Sequence, residues 1–345
     1  MGKKPLIVFL LEGSHTPSSR LRVGNYLPYL QEAYSYVVTP IPKSFFERMR
    51  IYRRLPKADI LFIQKKLFRP WEMALLARKA AAIVYDLDDA VIYRDREEGT
   101  EDRRVRRLSR KFQNTVCRAE IVIAGNPILA ELAAPWAKRV VILPTPVDLH
   151  RYCVRPYGVG LSETVTLGWV GTRGNLKYLK DLTPVLQRLT EQYPTLRLEV
   201  VCDAPFSIPG VSVTHKPWAL EEEARDLQNF DIGIMPLPDN PWTRGKCGYK
   251  ILQYMAAGVP TVASPVGFNR QIIQEGVNGF LASTTEEWFL KLSLCIRDSK
   301  LREQIGMNGR KTVESEYALS ASAVRFQGIL NEARIEEDVA NSTTK

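Results

Sequence analysis

Along all 345 residues, short apolar runs alternate with amphipathic stretches, and this alternation restricts the possible folds more than any other feature. In the first half the runs are PLIVFLL, YVVTPI, ADILFIQ, AAIVYDL, EIVIAG and RVVILP. Helix-like stretches lie between them, around 18–33, 44–55, 70–80, 102–118 and 127–134. The second half repeats the scheme with VTLGWVG, LRLEVV, VSVTHK, DIGIMPL, PTVAS and GFLAS. Continuous β-branched runs suit strands buried on both faces, and the intervening helices supply the cover. The pattern predicts an α/β chain of two doubly wound, Rossmann-like halves, each built on a parallel sheet. Pro144 and Pro146, then a Pro- and Gly-bearing stretch over 148–160, suit an interdomain linker. The expected division is 1–150, 151–315 and a last segment, 316–345. Two such halves bring the carboxyl ends of two sheets to a cleft, where ligands usually bind.

The run LIVFLL is far short of the ~20 apolar residues of a membrane span, and no small-residue cleavage site follows it. MGKKPL lacks the Ser or Thr of a myristoylation signal. Five cysteines are scattered and never form a CxxC pair, which predicts a reducing, cytoplasmic setting with no disulfide framework and no zinc. Charge is uneven: residues 1–150 carry 26 Lys and Arg against 16 Asp and Glu, whereas 151–345 carry 22 of each. The excess is concentrated in KSFFERMRIYRR (43–54) and RRVRRLSRK (103–111). Such a field suits anionic lipid, an acidic polymer or a phosphorylated acceptor. The helix over 44–55 is either core-facing with a basic outer side or a peripheral contact with an anionic membrane. No nucleic-acid partner is expected, because no recognition motif accompanies the basic charge.

The most informative local stretch is RGKCGYKILQYMAAGVPTVASP, 244–265. A turn bearing Gly and Lys enters the helix YKILQYMA, Gly258 and Pro260 stop it, and TVAS begins a buried strand. At the helix start, Gly248 lies between Lys246 and Lys250. Free amides, a partial positive charge and ammonium groups make this an anion site; an ordinary loop–helix–strand connection is the alternative.

This stretch resembles the donor-sugar segment of family 4 retaining glycosyltransferases of the GT-B fold. The helix half, ILQYMAAGVPTVAS followed by PVGFNRQIIQEGVNGFLA, carries the likeness. In the family, two Glu residues separated by seven others precede Ala-Met-Ala-x-Gly-x-Pro and a strand. Here Gly245 occupies the first Glu position and Gln253 the second. The resemblance implies a nucleoside-diphosphate sugar as donor, transfer with retention, no metal or other cofactor, and a last helix that returns to the N-terminal domain. It further implies that Lys246 and Arg173 neutralise the leaving diphosphate and that Gln253 holds the ribose.

Other residues join this scheme. In WVGTRGNLKYLKDL (169–182), Gly171, Thr172, Arg173 and Lys177 follow a buried strand, where similar enzymes hold the diphosphate. Arg244, Tyr249 and Lys250 complete the donor set. VYDLDDA places Asp86, Asp88 and Asp89 after another strand. A D-x-D sequence also suits a metal, and isolated aspartates also suit helix caps or arginine partners. The resemblance sets Asp88 at the position of a His that faces the reacting sugar. The loop LEGSHTPSSRLR provides acceptor-side candidates, Glu12, Gly13, Ser14, Arg20 and Arg22, with Ser18 suited to a helix cap. The expected activity is sugar transfer to a glycan or lipid-linked acceptor. Alternatives are an epimerase or hydrolase of the same fold, or an inactive nucleotide- or glycan-binding protein.

Overall fold

The computed structural model describes residues 3–13, 16–93, 102–157 and 164–343, with backbone alone at 102 and 335–343. The candidate Ser14 lies outside the described residues. The chain forms two units. One comprises Met1–Pro146, Arg244–Cys247 and Leu319–Lys345; the other comprises Val147–Thr243 and Gly248–Ala318.

The first unit is built on β1 (Leu6–Leu11), β2 (Ser35–Pro40), β3 (Ala58–Gln64), β4 (Ala80–Leu87), β5 (Ile121–Ala124) and β6 (Val140–Ile142). All pairings are parallel and the order is β2-β1-β3-β4-β5-β6. In the second unit, β7 (Thr166–Gly171), β8 (Arg197–Cys202), β9 (Val213–Pro217), β10 (Ile232–Met235), β11 (Thr261–Ala263) and β12 (Phe280–Leu281) form the order β12-β11-β10-β7-β8-β9, again parallel. The expected pair of doubly wound sheets is therefore present. Each run of Val, Ile and Leu became a strand because helices cover both faces: Ile7, Phe9, Ile60 and Phe62 are buried on one side of the first sheet, Val8, Leu10, Leu61 and Ile63 on the other.

Strand order reverses once in each unit, between β1 and β3 and between β7 and β10. At such a switch point the two neighbouring connections leave toward opposite faces, so the carboxyl ends of those strands open a crevice. The segments after β1, β7 and β10 carry most of the candidate residues, and Asp88 follows β4.

The last helix, Leu319–Thr343, belongs to the first unit, as expected. Phe326 stacks on Tyr26 at 4.2 Å between ring centroids and meets Phe62 edge-on at 5.5 Å. The Tyr26 hydroxyl and Ser322 Oγ are 2.8 Å apart, which satisfies the polar end of a buried tyrosine. Among the described residues, no helix is long and apolar enough to cross a membrane.

Candidate functional site

In the second unit the sheet is splayed at its switch point. β10 pairs with β7 only at Ile232↔Leu167 and Gly233↔Gly168. Beyond that the Tyr254 hydroxyl takes over, accepting from Val170 N (3.1 Å) and donating to Ile234 O (3.3 Å). Tyr254 lies on the helix Tyr249–Ala256, so the same wedge that holds the strands apart fixes this helix at their carboxyl ends. Gly248 caps the helix at φ +64°, a left-handed conformation that favours glycine, and a Cβ there would run into Ile272. Lys250, in the first turn, sets its Nζ 4.6 Å from the Trp169 ring centroid, and a Cβ on Gly171 would stand 2.9 Å from that nitrogen. Lys250, in the first turn after Gly248, thus reaches Gly171 at the end of β7.

Thr172 precedes the turn Arg173–Asn175 and accepts from Asn175 Nδ2 at 3.1 Å. The Arg173 amide donates to Asp203 Oδ1 at 2.6 Å, which ties the loop after β7 to the loop after β8 and holds the Asp203 carboxyl below its ordinary range. The Arg173 and Lys177 side chains are exposed. Gln253 has a different setting from the one its sequence position suggested. It is 4% exposed, and its Nε2 donates to the Tyr152 hydroxyl at 3.0 Å. Tyr152 donates to Glu223 Oε1 (3.3 Å), whose other oxygen accepts from Trp218 Nε1 (2.9 Å). Burial, with Glu223 beside it, pushes the Tyr152 hydroxyl up to about 12.

The segment Arg244–Cys247 belongs to the first unit. Asn126, which caps the helix Pro127–Ala133 with its Oδ1, uses its Nδ2 to donate to Gly245 O (3.1 Å) and to approach Cys247 Sγ (3.4 Å). Cys247 in turn donates to the Asp88 carbonyl at 3.2 Å. Burial pushes the Cys247 thiol well up, so it packs as a small side chain and does not act as a thiolate. A Cβ on Gly245 would lie 2.5 Å from Ala90 Cβ and 2.9 Å from Ala90 N. Position 245 is therefore closed to a side chain by the residues that follow β4. Lys246 acts electrostatically on Asp89, so Asp88 and Lys246 share one neighbourhood.

Around Asp88 the ends of β1, β3 and β4 converge. Ser18 donates to Asp88 Oδ2, and Gln64 Nε2 donates to Ser18 Oγ at 2.6 Å. Gln64 Oε1 accepts from the Glu12 amide (3.2 Å) and from Ser19 Oγ (3.1 Å). Thr16, not Ser18, caps the helix Pro17–Arg22, which releases Ser18 for Asp88. Arg22 is an internal residue and not the solvent-facing anion ligand its loop suggested. At 1% exposure it pairs with both oxygens of Asp86 and donates to the Leu143 carbonyl at 2.6 Å. Burial pushes the Asp86 carboxyl up while Arg22 pulls against it. Arg20, in contrast, keeps its buried NH1 without a hydrogen-bond partner. Lys65 Nζ pairs with Asp89 and stands 3.7 Å from Asp88 Oδ1. Gln64, Lys65, Asn126, Tyr152 and Glu223 were absent from the sequence-based candidates. A polar Q-K-K directly after an apolar strand run was the available signal for the first two. Among the described residues, no group of three or more His, Cys, Asp or Glu could hold a metal ion.

These two switch points, one bearing a helix N-terminus and basic side chains and the other a carboxylate cluster, define a doubly wound chain of the GT-B fold. Residues 164–298 match the family of glycosyl transferases group 1. Sucrose-phosphate synthase from Thermosynechococcus elongatus has a similar structure, at TM-score 0.74 and 15% identity, covering 96% of this chain and 99% of its own. HepE of Anabaena, in complex with UDP and glucose, superposes at TM-score 0.70 with 15% identity over 95% of this chain and 100% of its own. A glycosyltransferase from Rickettsia africae matches at TM-score 0.70 with 12% identity, over 96% and 98%. No curated relative matches the chain in sequence. Segment and fold together support a transferase enzyme.

Proposed function

We propose that the chain is a retaining glycosyltransferase of the family 4 type, moving a sugar from a nucleoside-diphosphate sugar to a glycan or lipid-linked acceptor without a metal. The observation that carries this reading is Lys250, in the first turn after Gly248, reaching Gly171 at the end of β7, where the loop of Thr172 and Arg173 begins. A helix N-terminus with basic side chains near a strand end suits a diphosphate, and a solved structure of similar fold holds UDP and glucose. As the bond from sugar C1 to the diphosphate breaks, charge grows on the leaving oxygen. Arg173, Lys246, Lys250 and the amides around Gly248 are the groups proposed to stabilise it. Lys177, Arg244 and Tyr249 complete the donor set, with Gln253 supporting it from within. Asp88, Glu12, Gly13, Ser14 and Arg20 form the acceptor side.

A cytoplasmic, membrane-peripheral location accompanies this reading. Phe46 is 82% exposed, next to the exposed Phe45 and Trp71, and basic residues flank these aromatics in the helix Phe45–Arg54. Aromatic and basic groups on one surface suit an anionic bilayer carrying a lipid-linked acceptor.

Thermal shift with UDP-, GDP-, ADP- and CMP-sugars, with and without Mg²⁺, tests the donor assignment. At a free ligand concentration 100 times Kd the stabilisation is ~2.7 kcal/mol. One nucleotide sugar is expected to stabilise the chain equally with and without Mg²⁺, and Arg173→Ala is expected to weaken that shift. Lys246→Ala is expected to abolish transfer while the fold persists. The anomeric configuration of the product then reads retention. No shift with any of the four, or full activity in Lys246→Ala, removes the assignment.

A further inference from the structure

Lys65 is the one non-glycine residue with positive φ among those described, at +61°. A left-handed lysine is strained and persists where its surroundings over-determine it, and such residues gather at functional sites. Here the clamp is visible. Lys65 N donates to Asp86 O at 2.8 Å, the Tyr85 hydroxyl donates to Lys65 O at 3.2 Å, and Lys66 N donates to Gln64 O at 2.6 Å. The side chain, largely buried, runs between the carboxylates of Asp88 and Asp89. Of the two Asp88 oxygens, Oδ2 accepts from Ser18, itself held by Gln64. Oδ1 is buried with no hydrogen-bond partner, although Lys65 Nζ is only 3.7 Å away. A buried carboxylate oxygen left without a donor is a departure that calls for a cause, and a ligand hydroxyl is one.

We propose that Lys65 is a positioning residue: its ammonium, set between Asp88 and Asp89, holds the Asp88 carboxylate from one side while Ser18 holds it from the other, and so turns Asp88 Oδ1 toward a hydroxyl of the sugar or acceptor. This rests on the glycosyltransferase reading and assigns within it a residue outside the donor and acceptor sets. Two adjacent carboxylates beside a third, Asp86, repel one another, and a cation between two of them offsets that. Burial alone would lower the Lys65 ammonium, yet Asp88 and Asp89 outweigh it and hold it above its usual range. Other charged or titratable groups face the cluster. Glu12 acts on Lys65, Lys246 on Asp89 and Arg22 on Asp86, while Tyr85 and Cys247 feel Asp88.

The test is the pH profile of transfer by the full chain carrying Lys65→Met, Lys65→Arg or Lys65→Gly. Removing a cation from between carboxylates favours their protonated forms. Lys65→Met is therefore expected to move the acid limb of kcat up by about 1 pH unit and to lower kcat at least tenfold at neutral pH, with donor KM changed less than twofold. Lys65→Arg keeps the charge and is expected to restore most of kcat. Lys65→Gly relieves the left-handed backbone, so it is expected to unfold no earlier than the parent yet to share the kinetic defect of Lys65→Met. A folded Lys65→Gly with parental kcat and acid limb overturns the proposal, as does Lys65→Arg being as impaired as Lys65→Met. If Asp88→Asn is inactive while Lys65→Met and Lys65→Gly match the parent, only this inference fails. If the parent turns over no nucleotide sugar, the functional reading fails. The Lys65–Asp88 pairing is then read from unfolding of Lys65→Met, Asp88→Asn and the double variant, where strict additivity overturns it.

Discussion

Gly245 stands where the resemblance to family 4 glycosyltransferases sets an acid, and the structure gives a steric reason for glycine that can be tested. Its φ is not positive, so Gly245→Ala meets no intrinsic backbone penalty. At an open site of this kind the change would stabilise by ~0.4–1 kcal/mol through the unfolded state. Here the new Cβ would lie 2.5 Å from Ala90 Cβ and 2.9 Å from Ala90 N, against a preferred carbon–carbon separation of roughly 3.5–4.0 Å. Neither side gives way cheaply. Ala90 sits in a turn held by Val91 N→Asp89 O and Tyr93 N→Ala90 O, and Asn126 holds the Gly245 carbonyl. Overpacking of a fixed contact costs ~1–3 kcal/mol. For a unit of this size that lowers Tm by roughly 2–4 °C per kcal/mol. Because the clash arises at Cβ, Gly245→Glu is expected to lose at least as much as Gly245→Ala, in urea unfolding followed by circular dichroism. Ala90→Gly combined with Gly245→Ala is expected to recover part of the loss. If Gly245→Ala leaves stability within about 0.5 kcal/mol of the parent or raises it, the close approach is not what excludes an acid there.

Two further outcomes follow from charge. Arg22→Met leaves Asp86 and the Leu143 carbonyl buried without their donor, so a loss of about 3–5 kcal/mol is expected in equilibrium unfolding; a loss below about 1 kcal/mol would mean the pair is readily hydrated. Glu287, at the start of the helix Thr285–Arg297, is held below its ordinary 4.5 by the backbone and hydroxyl of Ser283 and the amide of Thr284. Its folded value being depressed, its contribution is complete above pH 4.5 and fades as pH falls through the lower folded-state value. Glu287→Gln is expected to remove that part of the acid dependence in a pH series of thermal melts.

Strands and helices were legible because both sheets are parallel and buried, so each apolar run had one consistent role. ADILFIQ and VTLGWVG became β3 and β7 almost residue for residue. Side-chain roles were less legible, since they depend on partners far apart in the chain. Arg22 reads as an anion ligand in a Gly/Ser loop until Asp86, 64 positions on, claims it. Ser18 reads as a cap, although Pro17 at the first helical position pointed to Thr16. Lys65 gives no sequence sign of its left-handed backbone, because the Tyr85 hydroxyl and the Asp86 carbonyl that hold it lie far along the chain on β4.

Gln253, the other position where that resemblance sets an acid, has a cause that differs from that of Gly245. Tyr152 has one proton, and Glu223 receives it. The tyrosine oxygen can then only accept, which an amide nitrogen at position 253 satisfies at 3.0 Å and a carboxylate cannot. A glutamate there would also place a second negative charge one hydroxyl away from Glu223, at a position 4% exposed. The neutral residue is thus what a buried acid already held by Trp218 and Tyr152 demands. Gln253→Glu is expected to destabilise by ~1–3 kcal/mol, the cost of an unsatisfied buried group. Adding Glu223→Gln should recover most of that, because the amide can donate where the carboxylate could only accept and Tyr152 is free to turn its proton toward the introduced carboxylate. Additive losses in the double variant, measured by urea unfolding, would show that the two side chains do not share that proton.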